Sequence, residues 1–177
     1  IYGASYGGYA SLMGVAKEPD LYKCAVGYVG VYDLNMLWGR GDISQSSYGK
    51  DFLAENLGKQ DLNASSPNKL ASRIKVPVFL AAGGADVRAP QSHSEAMEKA
   101  LKAAGKPVES MYFPQRRWFR KPDSSRNLCV RRQISGWCAA IQLISASRRK
   151  YVIVPSTRAA RKAARHQGAS GGTWRVL

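Results

Sequence analysis

The sequence predicts an α/β fold in which a mostly parallel sheet is flanked by helices. Two short apolar runs, Cys24 to Val29 and Val76 to Ala82, are suited to strands that are buried on both faces. A helical stretch precedes the first run, residues 34–70 lie between the two runs, and a second helical stretch separates the later run from a third predicted strand, Val108 to Phe113. Strands that alternate with helices favour a parallel sheet, with functional groups on the loops at the carboxyl ends of the strands.

The helices are predicted from periodicity and from the residues that end them. Tyr9 to Ala16 is a helical stretch that stops before Pro19, and Pro90 opens a second helix. The second helix has apolar residues at the i, i+3, i+4, i+7 positions: Met97, Ala100, Leu101 and Ala104. Gly105 follows where a C-terminal cap is expected.

Residues 34–70 are polar and Gly-rich and are predicted to form an insertion or lid between two strands. The segment contains Trp38 and Tyr48. We expect these two aromatic side chains to pack within the lid, and a substrate pocket is the alternative.

The formal net charge of +15 is concentrated in one part of the chain. Residues 1–113 carry 12 Lys and Arg against 11 Asp and Glu, whereas residues 114–177 carry 15 basic side chains and a single acidic one. We therefore treat residues 1–113 and 114–177 as separate segments.

Several function classes find no support in the sequence. No apolar run reaches the roughly 18 residues of a membrane-spanning helix, and the N-terminus lacks the pattern of a signal peptide. Neither observation decides between a cytoplasmic and an exported protein, because the chain begins in mid-motif at Ile1 and we expect its N-terminus to be missing. The three cysteines, Cys24, Cys129 and Cys138, have no metal-ligand spacing and are predicted to be free or buried thiols.

The motif that carries chemistry lies in the first eight residues. Gly3 to Gly7 reads G-A-S-Y-G and fits G-x-S-x-G, in which the serine occupies a strained strand-to-helix turn. This turn lifts the hydroxyl of Ser5 above the sheet edge, and the following helix points N–H groups at a developing oxyanion. The apolar stub before the turn, the helix after it and the additional Gly8 favour this interpretation over an ordinary Gly-rich turn.

Four segments in order resemble the prolyl oligopeptidase family of serine peptidases. Ile1 to Ala10 resembles its nucleophile elbow, and Ser66-Pro67 followed by Ile74 to Val78 resembles the entry to the strand before its acid. Gly83 to Pro90 resembles the acid loop, and Ala103 to Val108 resembles the turn into the last strand. The resemblance implies the C-terminal part of an α/β-hydrolase catalytic domain of the dipeptidyl or acylaminoacyl peptidase type. We expect the first strands of the sheet and the upstream β-propeller to be missing from this chain.

The resemblance also implies a catalytic triad in the order Ser, Asp, His. Ser5 would attack the scissile carbonyl, Asp86 would orient the histidine, and the backbone N–H of Tyr6 would supply one oxyanion donor. Arg88 is expected to brace the acid loop. The implied substrates are short peptides, cleaved through an acyl-enzyme without a metal or cofactor.

The triad histidine is not identifiable. The family places a Glu-Gly-His-Gly type turn after the last strand, whereas this chain continues with Gln115 to Phe119 and has no histidine there. His93, in the first turn of a helix, and His166, in the basic segment, are weak alternatives, because a base must lie within hydrogen-bond reach of the serine hydroxyl.

Three explanations account for residues 114–177. Our preferred hypothesis is an out-of-frame reading, because a shifted frame of a GC-rich gene yields many Arg, Ala, Ser and Gly and few acidic residues. Phe119 to Asp123 resembles the residues that come after the family's His turn and supports this hypothesis. The second explanation is a divergent C-terminus that has lost the catalytic site.

The third explanation is a functional tail, in which Arg148 to Lys150 and Arg158 to Arg165 contact nucleic-acid phosphates. This is the weakest of the three, because the chain has no groove-binding motif. We therefore predict a serine peptidase of the prolyl oligopeptidase family that is truncated and impaired as written. An esterase or lipase of the same fold, and a non-catalytic fragment with a basic tail, are the alternatives.

Overall fold

The computed structural model describes residues 1–58, 61–114 and 137. This described part contains one sheet of four parallel strands in the order β1-β2-β3-β4. The strands are β1 Tyr2–Ala4, β2 Ala25–Tyr28, β3 Val78–Gly83 and β4 Val108–Phe113. The predicted α/β fold with a parallel sheet is confirmed, and each strand predicted from an apolar run is present within two residues of its expected start.

In the described ranges three α-helices connect these strands: α1 Tyr6–Lys17, α2 Ser47–Leu57 and α3 Gln91–Ala103. The glycine cap that the sequence predicts at the end of α3 is present. Gly105 has a φ of 66°, and its N–H donates to the carbonyl of Lys102 at 3.0 Å. Lys106 donates to the carbonyl of Leu101 at 2.9 Å, which completes the cap.

The segment predicted as an insertion or lid is largely helical. It contains α2 and short 3₁₀ helices at Leu34–Trp38 and Ile43–Gln45, and a third 3₁₀ helix, Pro67–Arg73, leads back to β3. Two of its aromatic side chains lie on the surface, with Trp38 42% and Tyr48 80% exposed. The prediction that they pack within the lid was wrong, because α2 buries only Gly49 and Leu53 and offers no apolar face for them.

The core lies on both faces of the sheet. The larger cluster packs α1, α3 and the third 3₁₀ helix against one face and includes Leu12, Tyr32, Ile74, Leu80 and Met97. On the other face Val26, Phe79 and Ala81 are buried, and the ring of Trp137 lies 5.6 Å from that of Phe79. Strands buried on both faces explain why β2 and β3 read as continuous apolar runs.

Other expectations concern single residues or the second segment of the chain. Cys24 is buried, in agreement with the prediction of free or buried thiols, whereas Cys129 and Cys138 lie outside the described residues. The proposed boundary at residue 113 and the hypotheses on residues 114–177 concern residues that, apart from Pro114 and Trp137, also lie outside them. Among the helices that are described, none has the length and apolar character needed to cross a bilayer.

Candidate active site

Ser5 occupies the turn between β1 and α1. Its backbone has φ 56° and ψ −122°, outside the regions that L-residues ordinarily adopt. Its N–H donates to the carbonyl of Tyr28 at 2.9 Å, and its own carbonyl accepts from Gly8 at 2.9 Å. Ser5 is the N-cap residue of α1, but its side chain makes no capping hydrogen bond. The hydroxyl is therefore not engaged in capping the helix.

Of the three glycines around Ser5, Gly3 and Gly8 lie where a side chain would not fit. A Cβ on Gly3 would collide with the carbonyl of Gly7, whereas a Cβ on Gly7 would meet no heavy atom of the described residues within 4 Å. A Cβ on Gly8 would lie 3.1 Å from the Cα of Gly30 and 3.1 Å from the carbonyl oxygen of Tyr28. The first glycine of G-x-S-x-G and the additional Gly8 are thus the positions at which backbone segments approach each other closely.

Tyr6 begins α1 and presents its side chain to solvent, with 78% exposed. Its ring centroid lies 5.7 Å from that of Tyr9, whose hydroxyl donates to the carbonyl of Ser65 at 3.0 Å. The Tyr6 N–H belongs to the first turn of the helix, where N–H groups have no intrahelical acceptor. This N–H is therefore available, next to Ser5, to a negatively charged oxygen.

Asp86 lies in the loop that follows β3 and is only 5% exposed. One carboxylate oxygen, Oδ1, accepts from the N–H groups of Arg88 at 2.9 Å and Ala89 at 3.0 Å. The other, Oδ2, is buried and has no hydrogen-bond partner in the part of the chain that the structure describes. Asp86 therefore orders its own loop with one oxygen and leaves the second for a donor from elsewhere.

The loop that carries Asp86 is bonded to Asp42, which lies after the first 3₁₀ helix, Leu34–Trp38. Asp42 donates its N–H to the carbonyl of Val87 at 2.8 Å. The Asp42 carboxylate also lies 3.4 Å from Nε of Arg88, in an ion pair that is open to solvent. Arg88 thus has the bracing contact that the sequence predicted, although the backbone bond contributes more than an exposed ion pair does.

His93 is fully buried in α3, and neither ring nitrogen has a hydrogen-bond partner among the described residues. Burial lowers the pKa of His93 to about 4; the positive charge of Arg40 acts in the same direction, and Asp33 opposes it. The imidazole is therefore neutral at neutral pH. A ring with no exposed surface argues against His93 as a base for Ser5. His166 lies outside the described residues.

The sheet brings Ser5 and Asp86 to one edge. Ser5 follows β1 and Asp86 follows β3, and these parallel strands are separated by β2 alone. Two strand spacings place the ends of β1 and β3 about 10 Å apart. The end of β4 lies next to the acid loop, because Gly84 donates to the carbonyl of Phe113 at 2.9 Å. Gln115 to Phe119, where the resemblance places the triad histidine, lie outside the described residues.

Two features near this edge were not found by sequence reasoning. Val29, directly after β2, has a φ of 46° and is 1% exposed. A left-handed conformation costs a β-branched residue about 1–2 kcal/mol. The residues around Val29 give no sequence pattern that predicts this conformation.

The second feature is Asp33, which is buried and accepts hydrogen bonds from the N–H of Asn35 at 3.0 Å and from the side chain of Asn68 at 2.8 Å. Burial opposes ionisation of Asp33, but the hydrogen bond from Asn68 and the charge of Lys69 hold its pKa below the usual value. The pairing of Asp33 with Asn68 is a long-range contact that no local pattern predicts. Within the described ranges, no group of three His, Cys, Asp or Glu side chains is arranged as metal ligands would be.

Comparison with known proteins identifies the family. The model of the prolyl oligopeptidase family matches residues 1–140. The chain belongs to this family. The family match extends past residue 113, into a stretch of which only Pro114 and Trp137 are described.

Relatives within the prolyl oligopeptidase family include dipeptidyl aminopeptidase BIII of Pseudoxanthomonas mexicana, 34% identical over 134 residues, with 71% of this chain and 19% of the relative covered. Dipeptidyl peptidase family member 6 of Caenorhabditis elegans is 29% identical over 133 residues, covering 71% of this chain and 18% of the relative. The solved acylaminoacyl peptidase of Pyrococcus horikoshii is similar with a TM-score of 0.59 and 25% identity, covering 66% of this chain and 19% of that one. The chain thus spans about a fifth of the length of these relatives. Its parallel sheet and flanking helices form part of an α/β-hydrolase fold.

Proposed function

We propose that this chain carries the nucleophile and the acid of a serine peptidase that hydrolyses short peptides through an acyl-enzyme. The observation that carries the proposal is the shared sheet edge. Ser5 lies there in a strained turn with its hydroxyl not engaged in capping, and Asp86 lies two strands away with a buried carboxylate oxygen that has no partner in the described residues. Membership of a peptidase family agrees with this arrangement.

In the proposed reaction the Ser5 hydroxyl oxygen attacks the scissile carbonyl carbon as a base removes the hydroxyl proton. The carbonyl oxygen becomes an oxyanion and accepts a hydrogen bond from the N–H of Tyr6, next to the positive end of the α1 dipole. The same base returns the proton to the leaving amine, and an acyl-enzyme on Ser5 remains. Water then hydrolyses the ester and frees the serine.

Asp86 serves the base in this scheme. A carboxylate that accepts the ring N–H of a histidine fixes its tautomer and stabilises the imidazolium that forms during attack. Oδ2 of Asp86 suits this role, because Oδ1 is already occupied by two backbone N–H groups. Asp86 would therefore keep its position while Oδ2 accepts the imidazole.

The substrate class is proposed from the names of relatives. These include a dipeptidyl aminopeptidase and acylamino-acid-releasing enzymes, which points to short peptides cleaved near a free or blocked N-terminus. Because these relatives carry peptidase or acylamino-acid-releasing names, an esterase or lipase is the less favoured alternative. A panel of acyl esters measured against aminoacyl-nitroanilides separates the two activities.

The chain as written is proposed to be impaired, because the residues directly after β4, Gln115 to Phe119, contain no histidine. Losing the triad histidine lowers turnover by about 10⁶ in subtilisin, the enzyme from which this magnitude is taken. We expect no measurable cleavage of aminoacyl-nitroanilides above the uncatalysed rate. Cleavage that is detected in this chain and is lost in Ser5→Ala would refute the impairment.

Restoring the histidine tests the assignment itself. The four substitutions Gln115→Glu, Arg116→Gly, Arg117→His and Trp118→Gly introduce the turn that the family places after its last strand. We expect nitroanilide hydrolysis to appear, to be lost in Ser5→Ala and to fall by about 10⁴ in Asp86→Asn.

Ser72→Ala and Asp51→Asn are matched controls at exposed positions and should leave the restored activity unchanged. A restored activity that survives Ser5→Ala would show that Ser5 is not the nucleophile. The nucleic-acid alternative rests on residues 148–165, which the structure does not describe, and stays a hypothesis from sequence alone.

A further inference from the structure

Two residues other than glycine have a positive φ in the described part of the chain, and they lie side by side. Ser5 follows β1 with φ 56°, and Val29 follows the neighbouring strand β2 with φ 46°. The conformation of Ser5 is that of the strand-to-helix turn. Val29 has no such explanation, and a left-handed β-branched residue persists only where the surrounding structure holds it.

The peptide between Tyr28 and Val29 is hydrogen-bonded both to the turn at Ser5 and to β3, the strand before the loop of Asp86. The carbonyl of Tyr28 accepts the N–H of Ser5 at 2.9 Å, and the N–H of Val29 donates to the carbonyl of Ala81 at 2.7 Å. Ala81 lies in β3, whose end at Gly83 leads into the loop of Asp86. One peptide unit therefore connects Ser5 with the strand that carries Asp86.

The turn at Val29 also supports the N-terminus of α1. It directs the chain so that Gly30 lies against the first turn of this helix, where a Cβ on Gly8 would come within 3.1 Å of the Gly30 Cα. On its other side Gly30 is covered by Tyr32, since a Cβ on Gly30 would lie 2.5 Å from Cζ of that ring. An extended backbone at Val29 would carry Gly30 away from α1 and remove this support.

We propose that Val29 is a positioning residue for Ser5, a role that rests on the proposed function of Ser5 as the nucleophile. Its left-handed φ sets the course of the chain from the peptide that receives the Ser5 N–H to the contact between Gly8 and Gly30. Val29 touches no reacting atom. It acts by fixing the position of Ser5 relative to the N-terminal N–H groups of α1.

The test uses the full chain and a readout that does not require peptidase activity. Ser5→Cys places a thiol at the N-cap of α1, and Cys129→Ser and Cys138→Ser remove the two cysteines outside the described residues. Cys24 is buried and stays, and its reaction is measured in a chain that keeps Ser5. The rate of alkylation by iodoacetamide is recorded against pH, because a thiol at a helix N-terminus has a pKa below the usual value of about 8.5.

Four variants of this parent separate positioning from folding. Val29→Pro imposes a negative φ and removes the N–H that bonds Ala81, and Gly8→Ala forces the helix away from Gly30. Both should raise the pKa at position 5 toward about 8.5 and lower the alkylation rate at pH 7 about fivefold or more. The controls Val29→Gly, which accepts a positive φ, and Gly7→Ala, which has open space, should keep the parent's pKa and rate.

Thermal unfolding is measured alongside, so that each variant is known to be folded. The inference is wrong if folded Val29→Pro or folded Gly8→Ala retains the parent's pKa and rate. It is equally wrong if Val29→Gly loses them, since the side chain rather than the backbone would then be responsible. An ordinary thiol pKa in the parent itself would instead refute the nucleophile turn on which the proposal depends.

Discussion

The two glycines of G-x-S-x-G provide a quantitative test of the serine turn. Gly3→Ala would place a Cβ inside the contact distance of the Gly7 carbonyl, and this backbone group is further held because the hydroxyl of Ser11 donates to it at 2.7 Å. The three heavy atoms nearest to that Cβ all belong to the Gly7 backbone, which cannot move aside as a flexible side chain would. We expect Gly3→Ala to lower the free energy of unfolding by about 3 kcal/mol, at the upper end of the cost of overpacking.

Gly7→Ala is the matched control, because it makes the same chemical change four residues away. Its Cβ meets no heavy atom within 4 Å in the part of the chain that the structure describes, and it lies in the first turn of α1, where alanine is favoured over glycine. We expect an increase of up to about 1 kcal/mol in the free energy of unfolding. The two substitutions should therefore differ by about 3–4 kcal/mol.

Equilibrium unfolding in urea measures this difference. With a dependence on urea of about 1–3 kcal/mol per molar, the two midpoints should lie more than 1 M apart, on the order of the difference divided by that slope. Equal slopes would show that the variants unfold the same structure. A Gly3→Ala midpoint within error of Gly7→Ala would refute the close approach of β1 and α1, and with it the strained turn at Ser5.

The remaining predictions concern stability away from the serine. Since the pKa of His93 falls from an ordinary 6.5 to about 4 on folding, the unfolded chain binds more protons between these values, so the free energy of unfolding should fall by about 2 kcal/mol from pH 7 to pH 5. His93→Leu should remove that part of the pH dependence, and an unchanged profile would show that His93 does not contribute. Gly105→Ala should lower the free energy of unfolding by about 1 kcal/mol because the backbone of Gly105 has a positive φ. Gly39→Ala is the control and should have little effect, because Gly39 has a negative φ and its Cβ would meet no described heavy atom within 4 Å. Thermal unfolding compares the two variants, and equal melting temperatures would contradict the glycine cap.

The strands and α3 could be predicted because local pattern and tertiary role agree in them. β3 reads as an unbroken apolar run since both of its faces are covered, and Gly105 marks the end of α3 since its backbone is left-handed. Ser5 could be placed on a strand-to-helix turn because small residues surround it in sequence. Its relation to Asp86 depends on the sheet order, which the alternation of strands and helices predicts only in outline.

The features that escaped prediction depend on contacts between distant segments. The left-handed backbone of Val29 is imposed by its neighbours in space, and valine gives no indication of it. The exposure of Trp38 and Tyr48 follows from the narrow buried face of α2, which composition alone cannot reveal. In both cases tertiary structure overrides what the local residues favour.

The positions of Ser5 and Asp86 do not depend on how residues 114–177 are explained. The serine turn is fixed by hydrogen bonds among Ser5, Gly8 and Tyr28, and Asp86 is fixed by the N–H groups of its own loop. All of these groups lie between residues 1 and 114. A shifted reading frame would therefore remove the base and leave the other two groups in place, and reading the coding nucleotides in the two neighbouring frames tests it directly. A Glu-Gly-His-Gly type turn found there after Pro114 would supply the histidine of the proposed triad, and its absence from both frames would favour a divergent family member without that histidine.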